Sequence, residues 1–206
     1  MKYTDIIFDF DGTISDTYPC FTKALLETLR EFGLDDDYSH AYALLKISVG
    51  RALAAYSFPA PIETVNRRFH EIHERIAIEE QKPYPEARGL LEFISANGGR
   101  SYIYSHSGLI VTRLLEKWDM MKYISGILDS RVKLPRKPNP AGLNYMCEKY
   151  NLDRSLCLMV GDRDIDTDCA RNAGIAGCLF DPEGYYTDTK ADYSVVSLDA
   201  VKDILK

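Results

Sequence analysis

The sequence predicts an α/β protein in which a doubly wound parallel sheet carries a small all-helical domain inserted into it. Two observations predict this architecture. Short apolar runs alternate with longer amphipathic stretches, which is typical of a parallel sheet covered by helices on both faces. The alternation stops in one segment near the N-terminus, which has helical stripes but no convincing strand.

The apolar runs that predict strands lie at residues 6–8, 102–104, 126–128, 156–160 and, more weakly, 177–180. Between these runs, apolar residues recur at helical spacing, so we expect helices to connect the strands. The helical stripes are formed by Leu90, Leu91 and Ile94, by Val111, Leu114 and Leu115, and by Leu143, Met146 and Tyr150.

The strand-free segment covers residues 17–81 and directly follows the first strand. Pro83 and Pro85 mark the return to the alternating pattern. We therefore predict a core formed by residues 1–16 and 82–206, with 17–81 as a helical cap domain. The helical stripes of this segment consist of Phe21, Leu25 and Leu29, and of Val65, Phe69, Ile72 and Ile76.

The second of these helices also carries His70 and His73, which are three residues apart and could share a metal ion. Glu71 and Glu74 surround them, and such a charged pattern is more typical of a solvated helix face. We therefore expect this histidine pair to lie at the surface.

Composition restricts the partners and the location of the protein. The chain has 206 residues, of which 46% are hydrophobic and 27% charged, as in globular proteins with a buried core. Its formal net charge of −6 argues against binding to nucleic acid or to an anionic membrane, because both need a basic face. No run approaches the ~18 apolar residues of a membrane span, and carboxylates interrupt the N-terminal apolar run, so we expect no signal peptide.

Cysteine content agrees with an intracellular location. The five cysteines are odd in number and form no C-x-x-C pair, so free thiols in the reducing cytoplasm are the simplest interpretation. No heptad repeat or obvious exposed apolar segment demands a dimer. The sequence is therefore compatible with a cytoplasmic monomer.

Four of the predicted strands lead into residues that can carry chemistry. The first leads into Asp-Phe-Asp-Gly-Thr at 9–13, the second into Ser105, and the third, after about ten residues, into the segment with Lys137. The fourth ends in Asp162, and Asp166 follows one helical turn later. Ligands of parallel α/β sheets bind beyond the carboxyl ends of the strands, so we expect these groups to meet in one crevice.

The carboxylates fit transfer of a phosphoryl group. A phosphate ester dianion repels a carboxylate nucleophile, and a hard divalent cation with oxygen ligands can hold both. Asp9 and Asp162 can supply carboxylate ligands to Mg²⁺, and Asp9 can also attack phosphorus to form an aspartyl phosphate. Asp11 can protonate the leaving oxygen and then activate water.

The remaining groups fit recognition of the phosphate of a small metabolite. Gly12 lets the chain turn sharply and expose nearby backbone N–H groups, including that of Thr13, to phosphate oxygens. Ser105 can hydrogen-bond the transferring phosphoryl group, and Lys137 can neutralise its charge.

Together these motifs resemble those of the haloacid dehalogenase-like superfamily. The sequence has D-x-D-G-T at 9–13, a strand-end serine at Ser105, a lysine before proline at Lys137, and G-D-x-x-x-D at 161–166, in that order. The helical insert after the first motif resembles the subfamily that includes phosphoglycolate phosphatase and β-phosphoglucomutase. The resemblance implies a Rossmann-like core and a magnesium-dependent phosphatase that works through an aspartyl phosphate.

The resemblance also implies a role for each motif residue. Asp9 looks like the nucleophile and a metal ligand. Asp11 looks like the general acid and base, and its carbonyl oxygen is implied as a second metal ligand. Asp162 looks like the remaining protein ligand. Asp166 looks like a residue outside the ligand set that holds metal-bound water or Lys137.

Two positions depart from the pattern of the superfamily. His106 follows Ser105 where asparagine or a small residue is common, and Arg163 follows Asp162 where serine or threonine is frequent. Neither departure removes a required group, so they bear on substrate preference. We treat His106 and Arg51, in the predicted cap, as candidate substrate-binding residues beside Gly12, Thr13 and Ser105.

Three other functions share part of this residue set. A phosphomutase would use the same groups and return the phosphoryl group to its substrate. A dehalogenase would keep Asp9 but attack carbon, and it would need neither magnesium nor an acid at Asp11. A phospho-accepting signalling domain would have its carboxylates in a different order. A catalytically silent module would lack one of the required groups, and none is missing here.

Overall fold

A computed structural model of the protein describes residues 1–206. The chain divides into two compact units. The first comprises Met1–Ser15 and Pro83–Lys206, and the second comprises Asp16–Lys82. The segment 17–81, predicted as a cap domain, lies within the second unit.

The first unit is built on a six-stranded sheet in which all neighbouring strands are parallel. The strand order is β5-β4-β1-β6-β7-β8. The short strands β2 (Ser15–Asp16) and β3 (Lys82–Pro83) pair separately. The six strands of the large sheet are β1 (Asp5–Phe8), β4 (Arg100–Tyr104), β5 (Ile124–Leu128), β6 (Cys157–Gly161), β7 (Ala176–Phe180) and β8 (Tyr193–Val195).

Helices connect these strands as the sequence predicts. The apolar residues of α7 and α8 pack on one side of the sheet, in a cluster with Ile7 and Met159. Because β1 has neighbours on both edges and helices over the sheet, its side chains are buried, and the three residues after Asp5 are all apolar. The helices of this unit are α5 (Ala87–Ala96), α6 (Ile110–Lys117), α7 (Ala141–Tyr150), α8 (Asp164–Asn172) and α9 (Val201–Leu205).

The predicted fold class is therefore confirmed, with one strand added. The strand β8 was not predicted from the sequence, because its three residues are partly polar and only Val195 is buried. Such a strand is too short to show a period of two. All five cysteines are free thiols, as predicted, and the structure places all of them in buried positions. None of the helices combines the length with the apolar composition that a membrane-spanning helix needs.

The second unit consists of four helices around their own hydrophobic cluster. Helices α1 and α4 pack against each other through the two predicted stripes. Side-chain caps fix the starts of the two shorter helices, where Asp37 accepts from the backbone N–H of His40 and Ser48 accepts from that of Arg51. The helices are α1 (Tyr18–Glu31), α2 (Tyr38–Ile47), α3 (Val49–Ala54) and α4 (Ile62–Glu80).

The expectation that His73 lies on a solvated face was wrong. His70 is exposed, but His73 is only 4% exposed, and its ring centroid lies 4.3 Å from that of Phe21. Its Nε2 atom lies 3.2 Å from Oε1 of Gln81, so the buried ring has a polar partner. The reason is geometric, since position 73 extends the buried stripe of α4 by one residue.

Shortening the side chain of Ile7 should destabilise the protein strongly. Ile7 is fully buried in the central strand β1, and Ile→Ala at such sites costs about 2–5 kcal/mol, because the cavity is only partly refilled. Denaturant unfolding of Ile7→Ala measures this loss. The matched control is Val196→Ala, since Val196 is 71% exposed and should change the stability by no more than about 0.5 kcal/mol. Equal losses in both variants would contradict the assigned core.

Candidate active site

The central strands place three predicted site residues side by side. Phe8 of β1 is opposite Ile103 of β4 and Val160 of β6, so the residues that follow these strands emerge at the same edge of the sheet. The backbone N–H of Asp9 still donates to the carbonyl of Val160, at 2.8 Å, which continues the strand pairing into the site. Asp9 and Asp162 are each 3% exposed, and Ser105 is similarly buried.

A tight turn follows Asp9 and depends on glycine. Gly12 has φ +81°, a conformation that side chains with a Cβ rarely adopt. Its N–H donates to the carbonyl of Ser15, while the N–H of Ser15 donates to the carbonyl of Phe10. Thr13 is fully buried within this turn, and its hydroxyl has no hydrogen-bond partner.

Lys137 reaches this site from the loop between β5 and α7, and its ammonium is completely buried. It donates to Oδ1 of Asp9 at 2.7 Å, to Oδ1 of Asp166 at 2.6 Å and to the carbonyl of Tyr104 at 3.1 Å. These contacts use all three of its protons. Burial alone would lower the pKa of Lys137, but the carboxylates of Asp166 and Asp9 raise it, so the ammonium stays charged.

Asp166 is engaged at both of its oxygens. Oδ1 accepts from Lys137, and Oδ2 accepts from the backbone N–H of Arg163 at 3.2 Å, in the first turn of α8. Gly161 makes room for this side chain, because a Cβ at that position would lie 2.3 Å from Cβ of Asp166. Asp166 therefore serves to hold Lys137 and the start of α8, and it has less capacity to bind a metal than Asp9 has.

The site has the charge and the donor set of a divalent metal centre. Carboxylate oxygens of Asp9, Asp162 and Asp166 all lie within 4.8 Å of one another, and all three residues are buried. Oδ2 of Asp9 is buried and accepts no hydrogen bond. One lysine contacts two of these three carboxylates, so a hard divalent cation such as Mg²⁺, which prefers oxygen ligands, would fit the remaining negative charge.

Burial also raises the pKa of Asp9, and the carboxylates of Asp166 and Asp162 act in the same direction. Lys137 opposes this effect. A nucleophilic carboxylate has to be ionised, so the positive charges around Asp9 determine whether it can act.

Asp11 is held separately from the carboxylate cluster. Its Oδ2 accepts from the hydroxyl of Ser107 at 2.6 Å and lies 3.4 Å from the hydroxyl of Ser105. The hydroxyl of Ser105 in turn accepts from the backbone N–H of Ser107, at 2.9 Å. The loop after β4 thus orients the carboxylate of Asp11.

Two residues of the site were missed in the sequence. Ser107 holds Asp11, and the only sequence signal was its position in the polar loop after the second predicted strand. Tyr104 holds Lys137 through its carbonyl and its ring, whose centroid lies 4.7 Å from the ammonium. Tyr104 was predicted as a strand residue, and its sequence gave no sign of this contact.

The two remaining candidates for substrate binding lie in different units. His106 is half-buried and, with Ser105, lines a cavity of about 350 Å³ whose other wall includes Ser130, Lys133 and Arg136. Arg51 is exposed on α3 of the helical unit. Contact of either residue with a substrate stays a prediction.

Comparison with known sequences places the chain among hydrolases. A family profile described as Haloacid dehalogenase-like hydrolase matches residues 6–180. Phosphoglycolate phosphatase of Vibrio parahaemolyticus is 26% identical over 183 residues, covering 83% of this chain and 80% of that protein. The protein of the same name from Rhodospirillum rubrum is 29% identical over 186 residues, covering 82% of this chain and 76% of that protein.

Solved structures resemble the chain over nearly its full length. A hydrolase from Streptococcus pneumoniae TIGR4 is 33% identical with a TM-score of 0.69, covering 98% of this chain and 100% of that one. A predicted phosphoglycolate phosphatase from Haemophilus somnus has a TM-score of 0.86 at 19% identity, covering 100% and 99%. A putative β-phosphoglucomutase from Thermotoga maritima has a TM-score of 0.77 at 20% identity, covering 97% and 99%. The last two show the fold alone.

Magnesium should stabilise the protein against unfolding, and Asp162 should be needed for this effect. A ligand that binds only the folded state adds about 2.7 kcal/mol at a concentration 100 times its Kd. Thermal unfolding with and without magnesium measures the shift in Tm for the wild type and for Asp162→Asn. Asp168→Asn is the matched control, since Asp168 pairs with Arg171 on the surface of α8. A full shift in Asp162→Asn would contradict the assigned metal site.

Proposed function

Because the chain belongs to the haloacid dehalogenase-like hydrolase family, we propose that it hydrolyses a small phosphomonoester, with Mg²⁺ and through a phosphorylated Asp9. The predicted family and the predicted class of enzyme, a hydrolase, are confirmed by the family match.

One observation carries this proposal: the two oxygens of Asp9 have different surroundings. Oδ1 accepts from the ammonium of Lys137, while Oδ2 is buried without a hydrogen bond. A carboxylate with one oxygen held in place and one unengaged is suited to act at once as a ligand and as a nucleophile. An aspartate with a purely structural role would have both buried oxygens hydrogen-bonded.

In the first step, an oxygen of Asp9 attacks phosphorus. The new bond joins that carboxylate oxygen to phosphorus, and the bond from phosphorus to the ester oxygen breaks. Asp11 gives its proton to the leaving alkoxide, so an alcohol departs. Ser107 holds the carboxylate of Asp11 for this transfer. Lys137 offsets the negative charge that Asp9 and the phosphoryl group bring together.

In the second step, water attacks the phosphorus of the acyl phosphate. Asp11 now accepts the proton that the water loses, the bond between phosphorus and Asp9 breaks, and inorganic phosphate leaves. Asp9 is regenerated as a carboxylate and remains paired with Lys137. The hydroxyl of Ser105 is proposed to hold a phosphoryl oxygen in both steps. The N–H groups of Gly12 and Thr13, which the sequence suggested for this role, instead donate to carbonyls within the turn.

Asp9, Asp162 and the carbonyl oxygen of Asp11 would hold the magnesium ion, as the resemblance implies. When bound, the ion supplies positive charge that reduces the repulsion between the substrate phosphate and Asp9. The buried oxygen of Asp9 and the carboxylate cluster support this assignment.

Phosphoglycolate is the leading candidate for the substrate. Two relatives that align with most of this chain carry the name phosphoglycolate phosphatase, at 26% and 29% identity. We propose a small phosphorylated metabolite as the substrate, with Arg51 as a candidate substrate-binding residue. Phosphate release from a panel of phosphorylated acids and sugars, with phosphoglycolate included, tests this proposal.

Replacing Asp9 by asparagine should abolish turnover. An amide is a poor nucleophile and brings no negative charge to a metal ion, whereas the shape of the side chain is preserved. The measurement is colour release from p-nitrophenyl phosphate with and without magnesium, for the wild type and for Asp9→Asn. A kcat above a few per cent of the wild-type value in the variant would overturn the covalent mechanism.

A second assay separates hydrolysis from isomerisation, because a phosphomutase would use the same residues. In this assay a sugar phosphate is supplied, and both inorganic phosphate and isomers of the substrate are quantified. Hydrolysis predicts one phosphate for each substrate consumed. Isomer formation without phosphate release would show that the enzyme returns the phosphoryl group to its substrate. A fully active enzyme in the absence of any divalent ion would exclude the metal-dependent reaction.

A further inference from the structure

We infer that His106 is a positioning residue: its ring fixes the backbone of the loop that carries Lys137. This inference rests on the proposed function, in which the ammonium of Lys137 serves the reaction at Asp9. His106 would act through Lys137 and would not itself touch the substrate.

The contact that carries the inference is a hydrogen bond between two loops. The backbone N–H of Lys137 donates to Nε2 of His106 at 3.2 Å. Lys137 lies between β5 and α7, so no strand or helix ladder holds its backbone. A buried N–H without a partner costs about 1–3 kcal/mol, and the imidazole supplies that partner. The ring therefore ties the loop after β5 to the loop after β4.

The hydrogen bond also defines the state of the ring. A backbone N–H can only donate, so Nε2 of His106 has to be unprotonated, and the proton of the neutral ring is on Nδ1. Burial, supported by the positive charges of Lys137 and Arg136, lowers the pKa of His106 to about 3. The ring therefore stays a hydrogen-bond acceptor at neutral pH.

Packing holds the ring in this position. The ring of His106 stands edge-on to that of Tyr104, with centroids 5.9 Å apart and planes at 86°. Tyr104 also accepts from the ammonium of Lys137 through its carbonyl. The end of β4 thus holds Lys137 at two points: Tyr104 fixes the ammonium, and His106 fixes the backbone.

These contacts leave His106 little capacity to bind substrate. Its one acceptor atom is used by Lys137, and only Nδ1–H remains as a donor. A shift of the Lys137 backbone, by contrast, would move the ammonium relative to Asp9. Misplacement of a catalytic group by 1 Å can cost about 10²-fold in rate. Loss of the acceptor at His106 should therefore lower turnover, because it frees the backbone that positions the ammonium of Lys137.

The test compares two substitutions at the same position. His106→Gln keeps an acceptor oxygen near the place of Nε2, whereas His106→Leu removes it at comparable volume. Val132→Ala is the matched control, since Val132 lines the same cavity and its side chain has no atom that can accept a hydrogen bond from Lys137. Steady-state kinetics with p-nitrophenyl phosphate and magnesium give kcat and KM, and thermal unfolding gives Tm.

The inference predicts that His106→Leu lowers kcat by about 10- to 100-fold with little change in KM, and that His106→Gln restores most of the lost kcat. Val132→Ala should behave as the wild type. A raised KM at unchanged kcat in His106→Leu would instead assign His106 to substrate binding and overturn the inference. Equal loss of kcat in the glutamine and leucine variants, at unchanged Tm, would also overturn it.

A measurement on the wild type keeps the inference testable if the leucine variant does not fold or if no phosphate ester is hydrolysed. Nitrogen NMR of ¹⁵N-histidine-labelled protein at neutral pH reports which ring nitrogen carries the proton. The inference predicts an unprotonated Nε2 and a protonated Nδ1 in His106. A protonated Nε2 would exclude the hydrogen bond from Lys137 and overturn the inference, whatever the enzyme assay shows. An inactive wild type with the predicted tautomer would count only against the proposed function.

Discussion

The site depends on one buried charge, the ammonium of Lys137 between Asp9 and Asp166. Moving an ionised lysine out of water is costly, and the structure offsets that cost with two carboxylates and the carbonyl of Tyr104. The same contacts also affect the charge of Asp9, because burial disfavours its ionised form and Lys137 favours it. The contact between Lys137 and Asp9 therefore stabilises the buried ammonium and also favours the ionised form of the proposed nucleophile.

The sheet brings these groups together from distant parts of the chain. β1 lies between β4 and β6, so Asp9 emerges beside Tyr104 on one side and beside Gly161, which precedes Asp162, on the other. Gly161 leaves space for Asp166, since any Cβ there would collide with its side chain. The absence of a side chain at Gly161 therefore lets Asp166 pack against the end of β6, where Asp166 accepts from Lys137. The strand order, the glycine at the end of β6 and the contacts of Lys137 therefore all act at the same edge of the sheet.

The sequence predicted the fold class because short apolar runs and helical stripes are local signals. It also predicted which residues meet. Asp9, Ser105 and Asp162 each follow a strand, and the carboxyl ends of neighbouring parallel strands lie at the same edge of the sheet. It could not predict how the contacts are shared, such as the two engaged oxygens of Asp166, because these depend on side-chain geometry. The burial of His73 was likewise not predicted, since the helical period alone does not give the width of a buried face.

The free energy of unfolding across a double-mutant cycle at Lys137 and Asp166 tests directly whether the ammonium of Lys137 stabilises the site. We predict that Lys137→Met loses about 3–5 kcal/mol, because it leaves buried carboxylates without their counter-charge. Adding Asp166→Asn should recover part of this stability, while turnover of phosphate esters stays lost. A Lys137→Met variant with wild-type stability and turnover would contradict the central claim that this ammonium holds the site together.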